Sequence, residues 1–224
     1  MVRGPAAVLI GPLAALAYFV GARWLPSEPP DVVADVLGAT FVGITVLTVL
    51  PLAQGGVAVL VLIALGTGIL TAAFDAAGAR AAASLPEALL WATGGLLFAR
   101  AFDTPALALA VPLLIAGLDA GGVIGTAGLL DDAAHAGDPL TLEIPAWGGG
   151  QAAQLAALDA AVLATLGQWA VQHRLRPDAT ELALTAALAA AVAATLPAVA
   201  LMAGAFLAVN GDRLLALFGR SAEG

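Results

Sequence analysis

A chain of 224 residues that is 61% hydrophobic and only 11% charged, with a mean hydropathy of +0.99 and its apolar residues in long runs, reads as a single all-α integral membrane domain spanning residues 1–224. A formal charge of −8 excludes nucleic acid as a partner. The absence of cysteine excludes disulfides, thiolate catalysis and Cys-ligated metals, and because all eight basic residues are arginines no lysine Schiff base can form.

The first span is expected from Ala6 to Val20, closed by Arg23 and Trp24, with Pro26, Pro29 and Pro30 in the loop that follows. No small-residue cleavage pattern follows it, so it is read as a retained span. The second runs from Val32 to Ala53, with Asp35 in its first turn, and Gln54, Gly55 and Gly56 reverse the chain into a third from Val57 to Phe74, ended by Asp75 and Gly78. The fourth is placed at Leu85 to Ala101, where Pro86 and Glu87 suit a helical first turn. Asp35, Asp75 and Glu87 read as interfacial.

The fifth span starts with Thr104 as N-cap and Pro105 at the first helical position, and continues to about Ile124 through Asp119, which Gly117, Gly121, Gly122 and Gly125 surround. Small residues there let neighbouring helices approach closely. A polar loop carries Asp131, Asp132, His135, Asp138 and Glu143, then Trp147 and three glycines, Gly148 to Gly150. Leu140, Leu142 and Ile144 alternate with Thr141 and Glu143, the period of a short strand. The sixth span, Gln151 to Ala170, holds Asp159, and Gln172, His173, Arg174 and Arg176 close it. The apolar run from Leu182 to Val209 would be about 42 Å long as one helix, too long for a hydrocarbon core of about 30 Å, so it must break at Pro197. That gives a seventh span near Ala179 to Leu196 and an eighth from Pro197 to about Val209, continuing amphipathically to Phe218.

The expected architecture is therefore a bundle of about eight transmembrane helices, with N-terminal helices in 6–101 and a candidate catalytic half in 104–218. With both ends inside, Arg3, Arg100, Arg174, Arg176, Arg213 and Arg220 are cytoplasmic and only Arg23 and Arg80 external. His135 and His173 then lie at opposite faces, and no metal or other cofactor is implied. The expected location is the cell (plasma) membrane, with lipids as the immediate partners.

A carboxylate in hydrocarbon costs roughly 2.5–3.5 kcal/mol at a helix centre, so intramembrane acids mark function by default. Asp119 lies about five residues from the outer end of its span and Asp159 about eight from the start of the next, depths of roughly 8 and 12 Å. Two facing carboxylates in low dielectric share one proton, so one acts as base toward a water and the other as acid toward a carbonyl oxygen.

This arrangement resembles the presenilin and signal peptide peptidase family of intramembrane aspartyl proteases. Asp119 in Gly-Leu-Asp-Ala-Gly-Gly-Val is similar to the family's Tyr-Asp motif, Asp159 in Ala-Ala-Leu-Asp to its Gly-X-Gly-Asp motif, and Pro197, Ala198 and Val199 to its Pro-Ala-Leu motif. The resemblance covers roughly Pro105 to Val209. It departs at Leu118, where the family has tyrosine, at Ala156 and Leu158, where it has glycines, and at Val199, where it has leucine. It implies a presenilin-like fold and hydrolysis of peptide bonds in transmembrane helices of substrate proteins, with Asp119 and Asp159 catalytic and Pro197, Ala198 and Val199 shaping the substrate channel. The Leu140 to Ile144 segment is expected to pair with an unwound substrate as an added strand. Two other classes stay open: a catalytically inactive scaffold that binds membrane helices, and a transporter coupled to protons or cations through the same two acids.

The topology is directly testable: tags after Gly224 and within Ala133 to Gly137 should report cytoplasm and exterior respectively. An external C-terminus would contradict the eight-span arrangement.

Overall fold

Hydrocarbon supplies no hydrogen-bond partners, so a chain immersed in it satisfies its backbone within helices or closed sheets. The computed structural model describes residues 5–26, 31–120, 140–149 and 153–221, and these are almost all helical. The helices are α1 (Pro5–Gly21), α2 (Asp31–Thr48), α3 (Val57–Ala76), α4 (Arg80–Ala101), α5 (Pro105–Ala120), α6 (Ala157–Gln172), α7 (Pro177–Ala194) and α8 (Ala198–Ser221). An antiparallel hairpin of β1 (Thr141–Ile144) and β2 (Ala153–Ala156) precedes α6.

Among the described residues five segments are long and apolar enough to cross a membrane: Val32–Leu52, Val57–Ala76, Arg80–Ala101, Pro177–Ala194 and Ala198–Leu217. The apolar stretch of α5, Pro105–Leu118, is shorter. Several ends fall where local chemistry puts them. The Leu107 amide donates to the Thr104 hydroxyl at 3.3 Å, which caps α5. Between α7 and α8 the chain breaks at Pro197 after Thr195 adopts a left-handed conformation, φ 51°. Beyond that break α8 continues unbroken to Ser221.

Three ends differ from expectation. α2 stops at Thr48 and the chain tightens into a 3-10 turn, Leu50–Gly55. α4 begins at Arg80, not Leu85, because Ala81, Ala82 and Ala83 favour helix strongly; Pro86 therefore lies inside it. Most consequentially, residues 153–156 of the expected sixth span are strand, so Asp159 stands in the first turn of α6.

α6 is the centre of the bundle. Its side chains are buried without interruption from Val162 to Ala170, as expected of a helix apolar on all sides, and it packs against α2, α4, α7 and α8. α3 sits outside α4 and buries only Leu60 and Thr67, leaving Leu62, Leu65 and Ile69 exposed. α4 lies close against α6: a Cβ placed on Gly95 would overlap the Ala161 carbonyl oxygen. The Thr165 hydroxyl lies 3.1 Å from the Gly95 carbonyl oxygen and 2.8 Å from that of Ala161, so it bridges the two backbones.

Gly95→Ala forces these backbones apart, and a rigid carbonyl cannot yield as a side chain would. It should destabilise the detergent-solubilised protein by about 1–3 kcal/mol, read as a lower thermal midpoint. Gly94→Ala, whose Cβ meets nothing within 4 Å, is the matched control and should leave the midpoint nearly unchanged.

Candidate functional site

The first turns of α4 hold the hairpin. Register pairs Leu142 with Leu155 and Ile144 with Ala153, and the Ala157 amide donates to the Leu140 carbonyl at 2.8 Å, so Thr141 and Glu143 turn their backbone groups away from β2. Both are taken up by α4. Arg80 Nη2 donates to the Thr141 carbonyl at 3.0 Å, and the Glu143 amide donates to the Ser84 hydroxyl at 2.8 Å. Arg80 Nη1 is also 3.2 Å from Asp75 and 3.2 Å from Glu87, which is only 3% exposed; Glu87 is thus a buried ion-pair partner, not an interfacial acid.

On the other side Ile144 fits against Gly38 of α2, where a Cβ would overlap it. Trp147 Nε1 donates at 3.0 Å to the Tyr18 hydroxyl, which donates in turn to the Ala34 carbonyl at 2.9 Å. The outer edge of β1 is therefore occupied, and the expected substrate pairing along Leu140 to Ile144 has no free edge there. β2 presents the other edge, through Gln154 and Ala156.

Asp159 is 6% exposed and occupies the first turn of α6, where the N-terminal end of the helix dipole favours a carboxylate. Position 119 belongs to the last turn of α5; its side chain lies outside the described set. The two helices run in opposite directions from a common tie, because His173 Nε2 at the end of α6 is 3.5 Å from the Asp103 carboxylate just before α5. From that end, position 119 is fourteen residues along from Pro105, about 21 Å, and Asp159 is thirteen residues from Gln172, about 20 Å. The two positions stand at one level of the bundle.

An apolar crevice of about 280 Å³ runs between α4, α5 and α6, walled by Trp91, Gly94, Gly95 and Phe98 of α4, Val111 and Ile115 of α5, and Leu158, Ala161, Val162, Thr165, Leu166 and Trp169 of α6. Position 119 follows Val111 and Ile115 at intervals of four, the spacing of one helix face. Leu158, adjoining Asp159, lines the crevice where the presenilin-type motif has glycine.

Pro197 immediately precedes α8, and Ala198 and Val199 begin it, with Pro197 exposed and Val199 buried. At the other end of the bundle the Arg176 amide donates to Asn210 of α8 at 3.1 Å. Ala198 is twelve residues, about 18 Å, back along α8 from that bond, which brings it to the end of the bundle that carries Asp159. Asp131, Asp132, His135, Asp138, Gly150 and the glycines 121, 122 and 125 lie outside the described residues. Among the described residues no three His, Cys, Asp or Glu side chains group as a metal site.

The hairpin's second strand and its clamp on α4 were the features missed from sequence; Arg80 and the buried Glu87 on one helix face, at i and i+7, were the available signal. In comparisons with known proteins, no protein-family profile, curated protein or solved structure matches this chain.

The tie between the α5 and α6 ends carries a pH dependence. Burial holds His173 below its ordinary value of about 6.5, and the Asp103 charge opposes this. The unfolded chain then binds more protons than the folded one as pH drops below about 6.5, so stability is full above that value and declines below it until the folded histidine also protonates. His173→Gln should flatten the fall in thermal midpoint between pH 7 and pH 5, and Asp103→Asn, which removes the opposing charge, should steepen it.

Proposed function

We propose that this chain is an intramembrane aspartyl protease of the cell membrane, presenilin-like and with eight spans, that hydrolyses peptide bonds in the transmembrane helices of other proteins. The observation that carries this reading is the common level of positions 119 and 159 on antiparallel helices that flank an apolar crevice. Asp119 and Asp159 share one proton. The ionised member draws a proton from a water, whose oxygen attacks the scissile carbonyl carbon, while the protonated member gives its proton to the carbonyl oxygen. The resulting gem-diol collapses as a proton passes to the leaving nitrogen, releasing an amine and a carboxylic acid.

A helix satisfies its own backbone and hides its carbonyls, so the substrate must unwind locally before attack. In this reading the unwound stretch adds to the open edge of β2, and Pro197, Ala198 and Val199 border its path. Leu158 favours one competing reading, that of an inactive scaffold, because it places a branched side chain in the crevice beside the acid.

The test is cleavage of a helical reporter by the purified protein. Asp119→Asn and Asp159→Asn should each lower the rate by about 10²- to 10⁴-fold while membrane-inserted protein is unchanged. Cleavage surviving in either variant would refute the dyad. No cleavage by the wild type, with none gained by Leu158→Gly, would leave the scaffold.

A further inference from the structure

At the end of the bundle opposite the aspartates, the α6–α7 turn and the distal half of α8 enclose a concavity of about 350 Å³ lined by His173, Arg174, Leu175, Arg213, Ala216 and Leu217. Its titratable walls are all basic. The Arg213 guanidinium donates to the Leu175 carbonyl at 2.7 Å and lies 3.5 Å from that of Arg174, which fixes its position, yet no carboxylate pairs with it among the described residues. Nor does one pair with the exposed Arg174. The nearby acids are committed elsewhere: both oxygens of Asp212 receive the Arg176 fork at 2.8 and 2.7 Å, and Asp103 faces His173.

Two arginines thus line one pocket with no carboxylate paired to either among the described residues, in a protein whose net charge is −8. Arg174 is also held at φ 51°, a left-handed conformation in which glycine would sit without strain. The pocket floor is apolar, and Leu215 on the same stretch of α8 is 62% exposed.

We propose that this concavity binds a phosphate-bearing anion, specifically the headgroup of an anionic phospholipid at the cytoplasmic surface, with its acyl chains along the distal half of α8. Guanidinium forks match phosphate oxygens in geometry and charge, and basic pockets between helices at this membrane surface are suited to such headgroups. The inference needs the bundle to span a membrane with this end on the cytoplasmic side, and is independent of the proteolytic reading.

The test uses the full chain in neutral detergent. Phosphatidylglycerol should raise the thermal midpoint by about 3 °C or more, whereas phosphatidylcholine should not. Inorganic phosphate separates the two sources of the anion: a full shift with phosphate alone would assign the site to free phosphate in place of lipid. Arg174→Gly removes a guanidinium that no described residue pairs with and suits the left-handed backbone, so it should melt at or above the wild-type temperature without lipid and lose at least half of the phosphatidylglycerol shift. Arg174→Gly with Arg213→Gln should lose all of it. Equal shifts with both lipids in the wild type, or a full phosphatidylglycerol shift retained by Arg174→Gly, would overturn the proposal.

Discussion

The close approach of α4 to α6 at Gly95 and Ala161 is the constraint on which the other contacts depend. Lipid tails are as apolar as leucine, so burying leucine between membrane helices gains little over leaving it in lipid, and close packing and backbone proximity must hold the bundle. Both helices are built for this. α6 presents Ala157, Ala161 and Thr165 at intervals of four and α4 presents Ala88, Ala92, Gly95 and Ala99. Thr165 then bridges the two backbones where no larger side chain would fit.

That contact fixes the hairpin. β2 runs into α6 with no intervening loop, and β1 is gripped by Arg80 and Ser84 in the first two turns of α4. The hairpin therefore rests on two helices that already touch. Its grip requires a buried charge, and burying Arg80 with Glu87 costs desolvation that only good geometry offsets. Arg80 meets this with contacts to Asp75, Glu87 and the Thr141 carbonyl. Losing Glu87 would leave a cation without its buried partner, a worse state than never having had the pair.

The helices were legible because membrane spans declare themselves by long apolar runs, and the ends at Thr104 and Pro197 because their chemistry is local. The α4 start was misread for the same reason: Pro86 looks like a first-turn proline, yet the alanines before it extend the helix past that signal. β2 had no signal to read. Ala153, Gln154, Leu155 and Ala156 are poor strand formers, and they are extended because β1, the strand just before them in the chain, pairs with them. The levels of positions 119 and 159 can be counted along two helices from sequence; the crevice was not legible, since it arises from how α4, α5 and α6 pack.

The shift of Asp159 from mid-span to the first turn of α6 bears on the proposed activity. In mid-helix the carboxylate would sit below a full turn of satisfied backbone, with nothing to orient an extended substrate toward it. In the first turn it is three residues from Ala156, the end of the strand whose outer edge no other described strand pairs. A chain paired along β2 is thereby led to the first turn of α6, and the separation of strand and carboxylate is set by covalent connection, whatever the tilt of the helices. The clamp of α4 on β1 acts in the same direction, because closing one edge of the hairpin leaves an incoming strand only the edge adjoining the aspartate.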